Sequence, residues 1–63
     1  MDWNDLPRSM RAIEGDREFD VWKVGGEGWR LTVKFADGEY IATEGGFRDA
    51  ESACAAADKF RRL

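Results

Sequence analysis

Alternating apolar and polar residues identify the middle of the chain as β-structure. Between residues 29 and 35 every odd position is apolar and every even position is polar, which is the period of a strand with one buried face. A glycine-rich run, residues 25–28, precedes this segment, and Asp37-Gly38, a strong hairpin signal, follows it. The pattern predicts a three-stranded antiparallel meander with strands at about residues 17–24, 29–36 and 39–43.

Helical spacing at both ends of the chain predicts one helix on each side of these strands. Leu6, Met10 and Ile13 recur at helical intervals and predict a short helix at about residues 5–14. Asp49 suits the N-cap of a second helix at about residues 49–62. The apolar stripe of this second helix consists of Ala50, Ala53, Cys54, Ala57 and Phe60. We therefore predict a single α+β domain, residues 1–63, with α-β-β-β-α order and both helices packed on one face of the meander.

The turn lengths extend this prediction to a register. A two-residue turn at Asp37-Gly38 places Phe35 opposite Tyr40, and a turn centred on Gly26-Glu27 places Trp22 opposite Leu31. The predicted core face then carries Trp22, Val24, Trp29, Leu31, Val33, Phe35, Tyr40 and Ala42. The opposite face carries Phe19, Val21, Lys23, Arg30, Thr32, Lys34, Ile41 and Thr43.

The opposite face offers one candidate binding surface. In the predicted register Phe19 and Ile41 flank Lys34 across neighbouring strands. An ordinary solvated sheet face accounts for this arrangement, because exposed apolar residues are common. An apolar patch rimmed by charge is also typical of a binding surface. The residues of this candidate face are Phe19, Lys23, Arg30, Lys34 and Ile41.

The acids gather in two stretches, which form the second candidate surface. Five acids and one base lie between residues 37 and 51, and four acids and one base lie between residues 14 and 20. Solubility is the usual cause of such runs, whereas the functional interpretation is an acidic edge that docks on a basic groove. The candidate contacts are Asp37, Glu39, Glu44, Asp49, Glu51, Glu14, Asp16 and Glu18.

Composition argues against an enzyme and against a bound cofactor or metal. The 63-residue chain has no histidine and one cysteine, so it lacks a conventional acid–base relay, an internal disulfide and a familiar zinc spacing. We interpret Cys54 as a buried small hydrophobe. The 13 acids and 10 bases give a net charge of −3, which disfavours direct binding to nucleic acid or acidic lipid. A lone thiol fits a reducing compartment, and neither a signal peptide nor a membrane span is visible, so we predict a cytoplasmic protein.

Local patterns resemble three groups of small domains. Residues 37–47 followed by a helix are similar to the strand–turn–helix unit of YegP-like bacterial domains. The β-β-β-α run from Phe19 onward resembles HicB-type antitoxin domains, although their proline-glycine-cysteine signature is missing. The full element order resembles double-stranded-RNA-binding domains. Asp49 and Glu51 stand where those domains present bases, so their function is not carried over.

A tiny, acidic, histidine-free chain is also similar in kind to the phage-encoded anti-CRISPR inhibitors. This resemblance implies stoichiometric binding to a CRISPR effector complex in the cytoplasm of the phage host. The acidic edges would stand in for phosphates as a DNA mimic and block access to target DNA. We therefore expect a non-enzymatic binding protein with a protein partner. The alternative is a small nucleic-acid-binding or antitoxin-like accessory module that uses the cationic opposite face.

Overall fold

A five-stranded antiparallel sheet makes up most of the fold. The computed structural model describes residues 3–6 and 9–61. The strands follow one another across the sheet in chain order, and one short helix comes after the last of them. The elements are β1 (Asn4–Leu6), β2 (Ser9–Glu14), β3 (Arg17–Val24), β4 (Gly28–Phe35), β5 (Tyr40–Phe47) and α1 (Ala50–Ala57), with a 3-10 turn at Asp58–Phe60.

The predicted α-β-β-β-α fold is therefore wrong, because the expected first helix is replaced by two strands. Residues 5–14 hold the end of β1 and all of β2, apart from residues 7 and 8, which lie outside the described residues. A helix this short is marginal by itself, whereas β2 pairs with β3 along its whole length, from Ser9 to Glu14. Gly15, with φ +61°, does not stop a helix and instead opens the two-residue turn between β2 and β3.

The helix after β5 begins where the sequence predicts and ends earlier. The Asp49 side chain accepts a hydrogen bond of 2.7 Å from the backbone N–H of Ser52, so its predicted role as the N-cap is confirmed. The regular helix stops at Ala57 and does not continue to residue 62. Ala53 and Ala57 are fully buried against the sheet, and their small side chains let the helix lie close to β3 and β4.

The predicted register of β3 is shifted by one residue. Val24 pairs with Gly28 across a three-residue loop, and Val21 therefore pairs with Leu31. Since side chains alternate along a strand, a one-residue shift moves every side chain of β3 to the other face. The loop is closed by a hydrogen bond of 3.0 Å from the Glu27 N–H to the Val24 carbonyl.

This shift corrects the predicted core. Phe19 and Val21, expected on the outer face, are fully buried, and Trp22, expected in the core, points to the opposite side. In the part of the chain that the structure describes, the buried apolar residues are Ala12, Phe19, Val21, Leu31, Val33, Ala53 and Ala57. Trp3 adds an edge-to-face contact with Phe19, at 6.4 Å between ring centroids.

The hairpin between β4 and β5 matches the prediction in one pair and departs from it in another. Val33 pairs with Ala42 as predicted, but Tyr40 pairs with Lys34 and not with Phe35. Residues 36–38 form a three-residue loop, in which the Gly38 N–H donates to the Phe35 carbonyl at 2.8 Å. A bulge in β5 then restores the predicted register. As a result Tyr40 faces away from the core and is 71% exposed.

The end of the helical segment is fastened to the sheet by two arginines. Arg17, a buried residue of β3, donates to the carbonyl of Phe60 at 2.5 Å and lies over the ring of Phe35, 5.6 Å from its centroid. Arg61 donates to both carboxylate oxygens of Glu14. These contacts fix where α1 lies across the sheet. No helix of the described residues is long and apolar enough to cross a membrane.

Candidate binding site on the open sheet face

One face of the sheet carries no covering element among the described residues. We call it the open face, and we call the side that packs on α1 the helix-covered face. Cross-strand pairing arranges the open face in three rows from β2 to β5. The rows are Ile13, Glu18, Lys34 and Tyr40; then Arg11, Asp20, Thr32 and Thr43; then Ser9, Trp22 and Arg30.

A diagonal of three residues crosses this face and divides it into two depressions. Trp22 on β3, Thr32 on β4 and Tyr40 on β5 line both depressions, whose volumes are about 280 and 480 Å³. The smaller one is completed by Ser9, Asp20 and Lys34. The larger one is completed by Arg30, Ile41, Ala42 and Thr43. We call these three residues, Trp22, Thr32 and Tyr40, the aromatic diagonal.

The floor of the site is a pair of threonine hydroxyls. Thr32 is only 7% exposed although no element covers its face, and its hydroxyl lies 3.5 Å from that of Thr43. Aromatic rings stand at both ends of the diagonal, because Trp22 lies in the last row and Tyr40 in the first. A ligand in either depression would therefore meet one flat ring at each end and hydroxyls below.

Arg30 is held in one position beside the larger depression. Its Nη2 donates to the Glu27 carboxylate at 2.6 Å. Gly45 of β5 gives the guanidinium room, since a Cβ there would lie 3.2 Å from Nη2. Lys34 lines the smaller depression, and among the described residues no ion pair includes it. The site thus presents one positioned cation and one that is free to turn toward a ligand.

The acids of the open face are already engaged by one arginine. Arg11 donates to the Glu18 carboxylate, and its Nε lies 3.7 Å from the Asp20 carboxylate. The hydrogen bond from Arg11 to Glu18, followed by the charges of Glu18 and Asp20, raises the pKa of Arg11 above its ordinary value. These contacts offset the negative charge that would otherwise surround Lys34.

The eight predicted acidic contacts do not form one surface. Three of them are exposed and share the end of the sheet where β2 meets β3 and β4 meets β5. A hydrogen bond of 2.8 Å from the Ala36 N–H to the Asp16 carbonyl joins these two turns. We call the group Asp16, Asp37 and Glu39 the acidic end.

The other five predicted acids are mostly engaged by other residues of the chain, including Glu14, which ends β2 beside the acidic end. Glu14 pairs with Arg61, Glu18 pairs with Arg11, and Glu44 accepts from Lys59 at 2.8 Å. Asp49 caps α1, and hydrogen bonding from Ser52 lowers the pKa of its carboxyl below the ordinary value. Asp49 and Glu51 follow the end of β5 that pairs with Trp29, so they lie at the opposite end of the sheet from the acidic end.

The structure divides the residues of the predicted cationic face between the two sides of the sheet. Arg30, Lys34 and Ile41 line the two depressions. Phe19 is buried in the core, and Lys23 pairs with Trp29 on the helix-covered face. Sequence reasoning missed Trp22 and Tyr40, the two rings of the site. Counting the loop after Val24 as three residues would have placed Phe19 and Val21 inside and Trp22 outside.

The chemistry of the site is that of contact and hydrogen bonding. It offers two aromatic rings, four hydroxyls, one carboxylate and two cations. No cluster of three or more metal-ligating side chains occurs within residues 3–6 and 9–61. Cys54 is a half-buried residue of α1, and its sulfur lies 3.8 Å from that of Met10. Burial raises the pKa of the Cys54 thiol. No family model matches the chain, and no curated protein and no solved structure is significantly similar to it.

Proposed function

We propose that this chain is a non-enzymatic binding module and that its ligand lies on the open face across the aromatic diagonal. The observation that carries the proposal is the pair of depressions that meet at Trp22, Thr32 and Tyr40. A large ring exposed to solvent contributes nothing to the core, and Tyr40 is 71% exposed. Apolar area rimmed by charge on an otherwise polar surface is typical of a contact site.

The volumes of the two depressions support a ligand of moderate size. The larger depression, at about 480 Å³, falls in the range of small-molecule and cofactor sites, roughly 300–1,000 Å³. Both depressions are shallow parts of one sheet face, so an extended ligand can occupy both at once. Tyrosine, tryptophan and arginine are the residues most enriched in binding hot spots, and the larger depression contains one of each.

Nuclear magnetic resonance titration of the labelled chain tests this proposal. The panel should contain single-stranded oligonucleotides, extended peptides and oligosaccharides. We expect a ligand from the panel to shift the amides of residues 20–22, 30–34 and 40–43, and the Trp22→Ala/Tyr40→Ala double variant to lose that ligand. Ligands that shift only the acidic end, or a panel in which none shifts the open face, would contradict the proposal.

A second candidate function rests on the acidic end. The hydrogen bond between Ala36 and Asp16 brings three exposed carboxylates together on two adjacent turns. Such a group complements a basic nucleic-acid-binding groove. In this case the chain acts as a stoichiometric inhibitor, of the anti-CRISPR kind, that blocks access of DNA to an effector complex.

Target-DNA binding by a purified type I CRISPR surveillance complex tests the second candidate. A stoichiometric excess of the chain should abolish DNA binding, and the bound chain should co-elute with the complex. The Asp37→Lys/Glu39→Lys variant should lose this effect, whereas Glu51→Lys, at the other end of the sheet, should keep it. Full DNA binding in the presence of the wild-type chain would remove this mechanism for the complex tested.

A further inference from the structure

We propose that the ligand of the open face is a short single-stranded nucleic acid whose bases stack on Trp22 and Tyr40 and whose phosphates meet Lys34 and Arg30. This inference rests on the proposed function and adds the class of ligand to it. Aromatic rings that alternate with cations on an uncovered sheet are the usual means of binding unpaired bases. All four side chains line the two depressions described above.

The spacing of the two rings indicates separate bases. Trp22 and Tyr40 are two strands apart, and their rows are four residues apart along β4, at Arg30 and Lys34. From ordinary sheet spacings their Cα atoms are ~16 Å apart. Side chains in strands stand roughly perpendicular to the sheet. At this spacing the two rings are too far apart to sandwich one base, so they offer two stacking surfaces. Thr32 lies between them on β4, and Arg30 and Lys34 flank Thr32 two residues away on either side. A backbone that links the two bases would pass between these two cations.

The charge of the face permits this ligand even though the whole chain is acidic. Three bases stand in the open-face rows, and of the acids nearby Glu18 and Asp20 contact Arg11 while Glu27 contacts Arg30. The acids at the two ends of the sheet lie outside the open-face rows, and two of them, Asp16 and Asp49, have arginine partners. The field of these acids is screened over about 8 Å at physiological salt. The net charge of −3 still disfavours a duplex, which binds mainly through phosphates and hides its base faces.

Stacking should supply most of the affinity, which gives the proposal a quantitative signature. Each stacked base is worth about 1–3 kcal/mol by alanine substitution. Two phosphate contacts on single-stranded nucleic acid give a slope of log K against log salt of only about −1.4. Binding should therefore weaken modestly with salt and strongly with loss of either ring.

Fluorescence anisotropy of a labelled oligothymidine of about 12 nucleotides tests the proposal, with oligouridine RNA as a parallel arm. We expect Trp22→Ala and Tyr40→Ala each to weaken binding by about 5- to 150-fold. Lys34→Gln should reduce the salt slope by about 0.7. Arg48→Gln is the matched control, because Arg48 is an exposed cation away from the open face, and it should leave both quantities unchanged.

Leucine variants separate stacking from apolar docking. Trp22→Leu and Tyr40→Leu keep apolar bulk but remove the π-face, so we expect them to lose nucleic acid as the alanine variants do. Retained binding by both leucine variants would overturn stacking as the mode of binding. Tyr40→Leu keeps the test valid if the Trp22 variants fail to fold, because Tyr40 is mostly exposed.

The outcomes also separate this inference from the proposed function. If the wild-type chain binds neither oligothymidine nor oligouridine at 50 mM salt, the nucleic-acid inference is wrong. A peptide or oligosaccharide that shifts the open face in the resonance titration would then leave the binding-module proposal standing. If no ligand shifts the open face, both proposals fail together.

Discussion

Gly26, in the loop after β3, and Gly28, the first residue of β4, have φ values of +85° and +97°, but only Gly28 meets the backbone of a neighbouring strand. A Cβ at Gly28 would collide with the carbonyl oxygen of Phe47, whereas one at Gly26 would meet open space. Alanine at positive φ costs about 1–2 kcal/mol at either site. We expect Gly28→Ala to lower the free energy of unfolding by clearly more than Gly26→Ala in urea titrations. If the two variants lose equal free energy of unfolding, the close contact between position 28 and the Phe47 carbonyl does not add to the cost of the substitution.

The thiol of Cys54 should react slowly at neutral pH. Burial, followed by the charges of Asp5 and Glu51, raises the pKa of the thiol, and only the thiolate is a nucleophile. Alkylation by iodoacetamide at pH 8 should therefore be slower in the folded chain than in the chain unfolded by urea. A folded-state rate equal to the unfolded rate would contradict the prediction.

The same shift makes stability depend on pH in a defined direction. A raised pKa means that the folded chain holds the Cys54 proton more tightly than the unfolded chain does. This contribution is complete below the ordinary thiol pKa, about 8.5, and is lost as the pH rises through the folded-state value. Urea unfolding of wild type and Cys54→Ala at pH 7 and pH 10 measures it. The wild type should lose more stability than the variant over this interval.

At the scale of elements, Arg17 should matter more than Arg61 for holding the helical segment. Arg17 is 7% exposed and donates to the Phe60 carbonyl, so Arg17→Met leaves a part-buried acceptor unpaired at a cost of about 1–3 kcal/mol. The Glu14–Arg61 pair is about one-third exposed on both sides. Exposed ion pairs contribute little to stability because solvent screens them, so Arg61→Gln should cost less than Arg17→Met. Thermal unfolding and hydrogen exchange of the α1 amides measure both. A larger loss in Arg61→Gln would show that the exposed pair, and not Arg17, holds the segment.

Sequence reasoning succeeded where one local pattern determines the structure. The alternation of apolar and polar residues in β4 does not depend on the register of the hairpin on either side of it. Arg30, Thr32 and Lys34 therefore lie on the face opposite the core, as predicted, although both hairpin registers were predicted incorrectly. The N-cap at Asp49 depends on a hydrogen bond from Ser52, which is only three residues away in sequence. These features depend on neighbours in sequence, which the pattern alone contains.

The sequence-based prediction was wrong where a segment fits two kinds of local structure and a contact with a residue distant in sequence selects one of them. Residues 9–14 fit a helical stripe through Met10 and Ile13 and also fit a strand with Met10 and Ala12 inward. Pairing with β3 selects the strand and leaves Ile13 64% exposed. The length of the loop after Val24 likewise decided whether Phe19 or Trp22 would be buried. The binding site was missed in part for this same reason.

At the scale of the whole molecule, the two faces of the sheet have opposite roles, and a pair of matched aromatic substitutions tests this. Phe19 is the largest fully buried side chain among the described residues. Truncating a buried phenylalanine to alanine typically costs about 3–5 kcal/mol, and the centre of that range is about 4 kcal/mol. Domains of this kind are stable by roughly 5–15 kcal/mol in total, and the smallest lie near the lower limit. Phe19→Ala should therefore leave about 1 kcal/mol of stability, so that roughly 15% of the chain is unfolded at 25 °C. Trp22→Ala, on the open face, should keep its cooperative urea transition and lose only the ligand. Phe19→Leu provides a milder version if the alanine variant cannot be purified. The reverse result, with Trp22→Ala unfolded and Phe19→Ala stable, would contradict this assignment. It would mean that a two-residue turn at Gly26-Glu27 joins β3 to β4, so that β3 buries the face that carries Trp22.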